Sequence, residues 1–195
     1  MTKNALHLLF GVVLLFSFSC KKDITDYKSE DYKFYNFQQQ GWKSKRITQS
    51  IGQLNYSATE VPIQYYILKS LNNVPEQVDS LASVNSHERI VEIEFQHEEK
   101  SDLLQEEFTS KNYEESVKYM SFEITEDFSV VTSSNDTIKC SGVHFERNFK
   151  VAPFKRLLLY FNDINPNDNI KLIYHDQLFG NGVIKFDFQE TPLKL

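Results

Sequence analysis

Short stretches of alternating apolar and polar residues, separated by turn signals, fill the C-terminal third of this 195-residue chain. A period of two places successive side chains on opposite faces of a β-strand, which suits a sheet with one buried face. Clusters of Gly, Pro, Asn, Asp and Ser between the stretches favour tight turns. The pattern therefore predicts strands at residues 137–140, 143–151, 157–161, 170–174 and 183–188, with a hairpin turn at 133–136 and further turns at 165–169 and 180–182.

Residues 89–97 show the cleanest alternation in the chain. Val91, Ile93 and Phe95 face one side, while Glu92 and Glu94 face the other, which predicts a strand with one face in water. Residues 63–68 follow Pro62 and are apolar on both faces, and we interpret them as a second, more deeply buried strand. Residues 75–84 are predicted as a loop or a short helical turn.

Residues 101–120 depart from the period of two. Ser101 and Asp102 are suited to cap a helix, and the later apolar residues Tyr113, Val117 and Met120 recur at helical spacing. We therefore predict a short helical insertion here, as two helices or as one helix broken near Ser110.

The fold class predicted from these patterns is mainly β, an antiparallel sandwich with one helical insertion around residues 101–120. Its short strands and turns resemble an immunoglobulin-like β-sandwich, although the chain lacks the paired cysteines of antibody domains. The resemblance is architectural and implies no function.

The N-terminus has the composition of a secretory leader. Lys3 precedes an apolar run at residues 5–18, which is followed by Ser19, Cys20 and two lysines. The run has 14 residues, fewer than the roughly 20 that a membrane-spanning helix needs. We predict a signal peptide at residues 1–19.

Cys20 at the leader boundary resembles the lipidated cysteine of bacterial lipoproteins. That resemblance implies diacylation of its sulfur, cleavage just before it, and a membrane-anchored protein of the cell envelope. The class usually has Leu three residues before the cysteine, where this chain has Ser17. Ser17 and Ser19 also suit an ordinary signal peptidase, which would release a soluble protein. The residue after Cys20 is not Asp, which resembles lipoproteins sent to the outer membrane.

The rest of the chain is predicted as a polar tether at residues 20–31 and a single β-rich domain at 32–195. The formal net charge of −6 and the absence of a long basic block argue against a nucleic-acid partner. If Cys20 carries lipid, Cys140 has no intramolecular partner, and burial as a small apolar residue is the favoured interpretation.

Two residues outside the anchor are candidates for ligand binding. Trp42 ends an aromatic cluster that begins at Tyr32, and such rings stack on sugars or mark an interface, although packing as a first strand is favoured. Arg147 lies in register with Val143 and Phe145 on the predicted apolar face, so it either pairs with a carboxylate at depth or lies at the rim of the sandwich.

No catalytic motif is present in the sequence. The chain has neither the Gly-x-Ser-x-Gly of a serine hydrolase nor the His-Glu-x-x-His of a zinc protease, and no metal or cofactor is predicted. An enzyme would need residues that converge only in the fold, and the available acid–base groups are Glu92, Glu94, His144, His175 and Asp176.

The sequence thus predicts a lipid-anchored, non-catalytic binding or structural module with a protein or glycan partner in the envelope. One alternative is an envelope hydrolase built from the five acid–base residues. The other is a carbohydrate-binding module, which predicts a flat exposed strip containing Trp42.

Overall fold

A computed structural model describes residues 44–70, 77–99, 101–147 and 152–188. Within these ranges the chain is mainly β, with strands arranged in two antiparallel sheets. The strands are β1 Lys45–Ile51, β2 Leu54–Val61, β3 Arg89–His97, β4 Phe128–Thr132, β5 Thr137–Lys139, β6 Gly142–Glu146, β7 Phe154–Phe161, β8 Ile170–Asp176 and β9 Gly182–Phe188. The helices are α1 Ile63–Ser70, α2 Val78–Val84 and α3 Tyr113–Lys118, the last followed by a π-helical turn, Tyr119–Glu123, and a 3-10 helix, Ile124–Asp127.

The first sheet has the strand order β1-β2-β3-β7-β6, and the second has the order β5-β4-β8-β9. All neighbouring strands are antiparallel. The chain builds most of the first sheet, crosses to β4 and β5, returns for β6 and β7, and ends with β8 and β9 in the second sheet.

The inward faces of both sheets contribute to one hydrophobic core. Val91, Ile93 and Phe95 lie inside while Glu92 and Glu94 lie on the other face of β3, so the predicted alternation is confirmed. Tyr174 of the second sheet contacts Phe95 edge-on, with ring centroids 5.7 Å apart. Aromatic packing therefore joins the two sheets at the centre of the core.

Helices α1 and α2 cover one end of the outer face of the first sheet. Ile63 of α1, Ala82 of α2 and Ile90 of β3 form a small second apolar cluster there. The prediction of a strand at residues 63–68 is therefore wrong. Ile63, Tyr66 and Ile67 are three and four positions apart, so a helix brings them onto one face, and Pro62 directly before Ile63 suits a helix start.

The helical insertion is confirmed in part, because its first half is not helical. Residues 101–112 form turns that bury Leu103 and Leu104, and α3 begins only at Tyr113. Ser101 and Asp102, predicted to cap a first helix, are followed by turns. Asn112 caps α3: its side chain accepts from the Glu115 amide, and the Glu115 carboxylate accepts from the Asn112 amide. Helical structure then continues past the predicted end, to Asp127.

The hairpin predicted at residues 133–136 joins β4 to β5, and Asn135 adopts the positive φ of 66° that such a turn requires. The strand predicted at 143–151 ends earlier, at Glu146, and residues 148–151 lie outside the described ranges. In the described part of the chain, no helix combines the length and apolar character needed to cross a bilayer.

Candidate functional site

The predicted anchor and the predicted aromatic contact both lie outside the described residues, because Cys20 and Trp42 precede residue 44. Arg147 is described, and its side chain is exposed just beyond the end of β6. The exposed side chain excludes the predicted position at depth in the core.

Cys140 is buried, as predicted, at the end of β5. Its thiol lies 3.0 Å from the carbonyl oxygen of Gly142 and donates to it. Burial raises the pKa of the Cys140 thiol above its ordinary value. A buried, protonated thiol is a poor nucleophile, so Cys140 contributes to packing.

Glu92 and Glu94, on the outer face of β3, are engaged in an ionic network centred on Arg156 of β7. Arg156 Nη2 donates to Glu94 Oε1 at 2.6 Å, and Arg46 Nη2 donates to Glu94 Oε2 at 2.5 Å. Glu92 accepts a short hydrogen bond from Tyr66 of α1. Arg156 Nε also lies 3.0 Å from Glu94 Oε1 and 4.0 Å from Glu92 Oε2, so the two carboxylates share this arginine and are held by it.

Burial alone would raise the pKa of Glu94, but hydrogen bonds from Arg156 and Arg46 outweigh it and lower the pKa. Arg156 also donates from Nη1 to Glu146 of β6 at 3.3 Å. The network therefore keeps Glu94 ionised and connects four strands of the first sheet, which is a structural role.

The remaining acid–base candidates are separated from that network. His144 and His175 are exposed on β6 and β8, in different sheets, whereas Asp176 is 4% exposed and buried at the end of β8. Among the described residues, no hydrogen bond joins any two of the five candidates, and no group of three His, Cys, Asp or Glu side chains is placed to hold a metal ion.

Asp176 lies at the centre of the most extensive buried polar cluster that the structure describes. It accepts from the Tyr56 hydroxyl at 2.8 Å and from the Tyr174 hydroxyl at 3.0 Å. The backbone amides of Phe179 and Asn181 donate to it at 2.9 and 3.2 Å. Four donors therefore satisfy both carboxylate oxygens, which offsets the cost of burying the charge.

This cluster, Asp176 with Tyr56, Tyr174, Phe179 and Asn181, connects the two sheets. Tyr56 belongs to β2 of the first sheet, Asp176 belongs to β8 of the second, and the Asn181 side chain donates to the Tyr56 hydroxyl at 2.6 Å. Burial and then the Asp176 charge raise the pKa of Tyr56 far above its ordinary value, so its hydroxyl stays protonated and donates.

A shallow cleft of about 230 Å³ lies beside this cluster and is lined in part by His97, Glu107, Phe108 and Asn181. The His97 ring accepts at Nδ1 from the Glu99 amide at 3.1 Å, which leaves Nε2 to donate to Gln53 at 3.3 Å. Phe108 packs on the same ring at 4.8 Å. His97 is thereby held by three neighbours and is 3% exposed.

The opposite end of the core holds a second buried carboxylate, which the sequence patterns did not single out. Glu60 of β2 is 1% exposed and Arg89 of β3 is 2% exposed. Their charged groups are 3.9 Å apart, between Arg89 Nη1 and Glu60 Oε1, and neither oxygen of Glu60 has a hydrogen-bond partner. Alternation along β2 could have identified it, because Tyr56, Ala58 and Glu60 share one face.

Burial raises the pKa of Glu60 from 4.5 to about 7, and the nearby Arg89 and Lys45 charges only partly oppose that shift. Arg89 Nη2 instead donates to backbone carbonyls, at 2.8 Å to Pro166 and 3.3 Å to Asn165. A pKa near neutrality is typical of functional groups, and here it belongs to a carboxyl group buried in the core.

No protein-family model matches this chain, and a search of curated proteins gives no significant match.

Proposed function

We propose that this protein is a lipid-anchored component of the bacterial cell envelope that acts as a non-catalytic binding or structural module for a protein or glycan partner. The observation that carries the proposal is the leader: Lys3, an apolar run too short to span a bilayer, and Cys20 at its boundary. Lipid on Cys20 is the chemistry that this arrangement implies, and the outer membrane is the proposed destination.

The acyl chains of such an anchor contribute additively to the free energy of membrane binding. Each buried methylene of an acyl chain contributes about 0.8 kcal/mol, so one chain binds a membrane weakly while two or three hold a protein there durably. A domain held in this way needs no spanning segment of its own.

The non-catalytic part of the proposal is supported by the way the candidate acid–base residues are used. Asp176 receives four donors, and Glu94 is paired with two arginines. A general acid or base needs a proton-transfer partner in a cleft, whereas these groups are committed to holding strands and turns together.

We further propose that the two sheets belong to the immunoglobulin-like class. The order β2-β3-β7-β6 corresponds to strands A-B-E-D of that class, and β5-β4-β8-β9 corresponds to C′-C-F-G, with β1 as an additional strand beside the first. Where antibody domains place a disulfide between strands B and F, Phe95 of β3 meets Tyr174 of β8, and Phe128 stacks on Tyr174 at 4.5 Å. An experimental structure that pairs these strands in a different order would exclude the class.

The anchor is tested by phase partition in Triton X-114. We expect the protein from its native cells to enter the detergent phase and the Cys20→Ser variant to remain in the aqueous phase. Cys140→Ser is the matched control, because it removes the buried thiol and leaves the leader boundary unchanged. A Cys20→Ser protein that partitions like the wild type would overturn the lipid attachment.

The partner is tested by crosslinking in intact cells followed by mass spectrometry. The wild type should give a specific crosslinked protein or glycan that is lost when Cys20→Ser releases the chain from the membrane. Hydrolysis of an envelope substrate that depends on His144, His175 or Asp176 would instead favour the enzyme alternative.

A further inference from the structure

The buried pair Glu60–Arg89 lies where the first sheet meets the loop that connects β7 to β8, residues 162–169. Glu60 faces inward between Lys45 of β1 and Val91 of β3, its register partners. The loop packs on the same end of the sandwich through Ile164, which is fully buried and whose amide donates to the His87 carbonyl at 3.0 Å.

The guanidinium of Arg89 contacts the loop on one side and faces Glu60 on the other. Nη2 donates to the carbonyls of Asn165, Pro166 and Asp168 at 3.3, 2.8 and 3.4 Å. Nη1 points towards Glu60 at 3.9 Å, which is beyond hydrogen-bond distance, and Nε has no acceptor. One side of the guanidinium is therefore committed to the loop, and the other side faces a carboxyl group that it does not yet touch.

We propose that Glu60 and Arg89 form a proton-operated clamp that sets how firmly the 162–169 loop is held against the first sheet. With Glu60 neutral, Arg89 interacts mainly with the loop carbonyls and holds the loop in place. When Glu60 loses its proton, its buried carboxylate, which accepts no hydrogen bond, attracts Nη1 and Nε, because a poorly compensated charge in the interior is costly. The arginine then moves towards Glu60 and its bonds to the loop weaken.

Burial, only partly opposed by the charges around the clamp, places its transition near neutral pH. Burial raises the pKa of Glu60 to about 7, while Arg89 and Lys45 oppose the shift. Burial lowers the pKa of Arg89, with Glu60 and Asp168 opposing, and a guanidinium keeps its proton throughout the physiological range. Glu60 is therefore the member of the pair that changes charge.

The 162–169 loop connects the clamp to a surface groove. Asp168 accepts hydrogen bonds from Ser133 at 2.6 Å and from Ser134 at 3.0 Å, which ties the loop to the β4–β5 hairpin. A groove of about 330 Å³ runs along that junction and is lined by Asn135 of the hairpin turn, Asn169 of the loop and residues of the second sheet. A change in the hold on the loop would alter the width of this groove.

Nuclear magnetic resonance on the isotope-labelled protein tests the clamp directly. We expect the Glu60 carboxyl carbon to titrate with a midpoint near 7, and the amide signals of Ile164 and Asp168 to shift with the same midpoint. The protection of the Ile164 amide against hydrogen exchange, corrected for intrinsic rates, should fall severalfold between pH 6 and pH 8. The isosteric Glu60→Gln variant should remove the pH dependence of the amide shifts and of the Ile164 protection.

Glu88→Gln is the matched control, because Glu88 is exposed one residue before Arg89. It should leave the loop titration unchanged. A Glu60 midpoint close to the ordinary 4.5, or loop amides that do not follow Glu60, would overturn the proposal. If Glu60→Gln fails to fold, the wild-type titration alone still decides between these outcomes.

Discussion

Of the residues that the structure describes, Asp176 and Glu60 are carboxylates buried in the core, and their surroundings are opposite. Asp176 receives four hydrogen bonds, whereas neither oxygen of Glu60 receives one. Strand β2 connects the two sites, because it carries Glu60 and, four residues earlier, Tyr56, whose hydroxyl donates to Asp176. Burial by itself therefore does not determine the role of an acidic residue here; the number of donors around it does.

The difference predicts opposite consequences when each carboxylate is removed. The Asp176 cluster stabilises the fold only while its acceptor is present, since its four donors would otherwise be buried without partners. The site of Glu60 suits an uncharged side chain, because burial disfavours the ionised carboxylate.

The largest expected effect is that of Asp176→Ala. Leaving the hydroxyls of Tyr56 and Tyr174 and two backbone amides without their acceptor should lower the free energy of unfolding by about 4 kcal/mol or more. Urea denaturation followed by circular dichroism measures it. Asp187→Ala is the control on the neighbouring strand: its exposed ion pair with Lys171 should contribute less than about 1 kcal/mol. Equal losses in the two variants would refute the comparison.

The next effect is the pH dependence of Glu60→Gln. The folded-state pKa of about 7 is above the ordinary 4.5, so the folded chain binds the Glu60 proton more tightly than the unfolded chain does. The resulting stabilisation of the fold is fully present below pH 4.5 and is lost as the pH rises through 7. Relative to wild type, the Gln variant should gain about 3 kcal/mol in unfolding free energy between pH 4.5 and pH 8.

Urea titrations of both proteins at several pH values measure the gain. A constant difference between the two curves would show that Glu60 ionises equally well in the folded and unfolded chain. Glu88→Gln again serves as the exposed control and should follow the wild-type curve.

A smaller effect is expected for Tyr56→Phe. The change removes one donor to Asp176 and the acceptor of the Asn181 side chain but leaves the ring packed against Phe95, at 5.7 Å. We expect a loss of about 1–2 kcal/mol. Tyr113→Phe, on a ring that is 39% exposed, is the control and should be nearly neutral. A loss as large as that of Asp176→Ala would mean that Tyr56 alone holds the cluster.

The strands that could be predicted from the sequence are those with a strict period of two, such as β3 and β8. Residues 63–68 misled the prediction because β-branched and aromatic residues favour strands, while their spacing also fits a helix, and only packing against Ile90 decides between the two. The helix predicted after Ser101 and Asp102 does not form, because Ser and Asp favour turns as well as helix caps, and the cap that does form is at Asn112.

The buried clusters were harder to foresee than the strands. Alternation indicates that Glu60 faces inward, but its partner Arg89 is bound to carbonyls of the 162–169 loop, which is more than a hundred positions away from Glu60 in the chain. Asp176 was considered only as a possible catalytic group. Its partners Tyr56 and Asn181 are separated by 125 residues, so no local pattern could reveal that the three form one structural unit.

The ionic network around Arg156 has a consequence for how the sheet responds to its medium. Glu94 is bonded to Arg46 on edge strand β1, and Arg156 is bonded to Glu146 on edge strand β6, so both borders of the first sheet are tied to its centre by charge as well as by backbone pairing. Dissolved ions screen such ties on the water-facing side of a protein far more than they affect a buried core. Concentrated electrolyte should therefore weaken the attachment of the edge strands β1 and β6 first, while the central strands of the sheet stay paired.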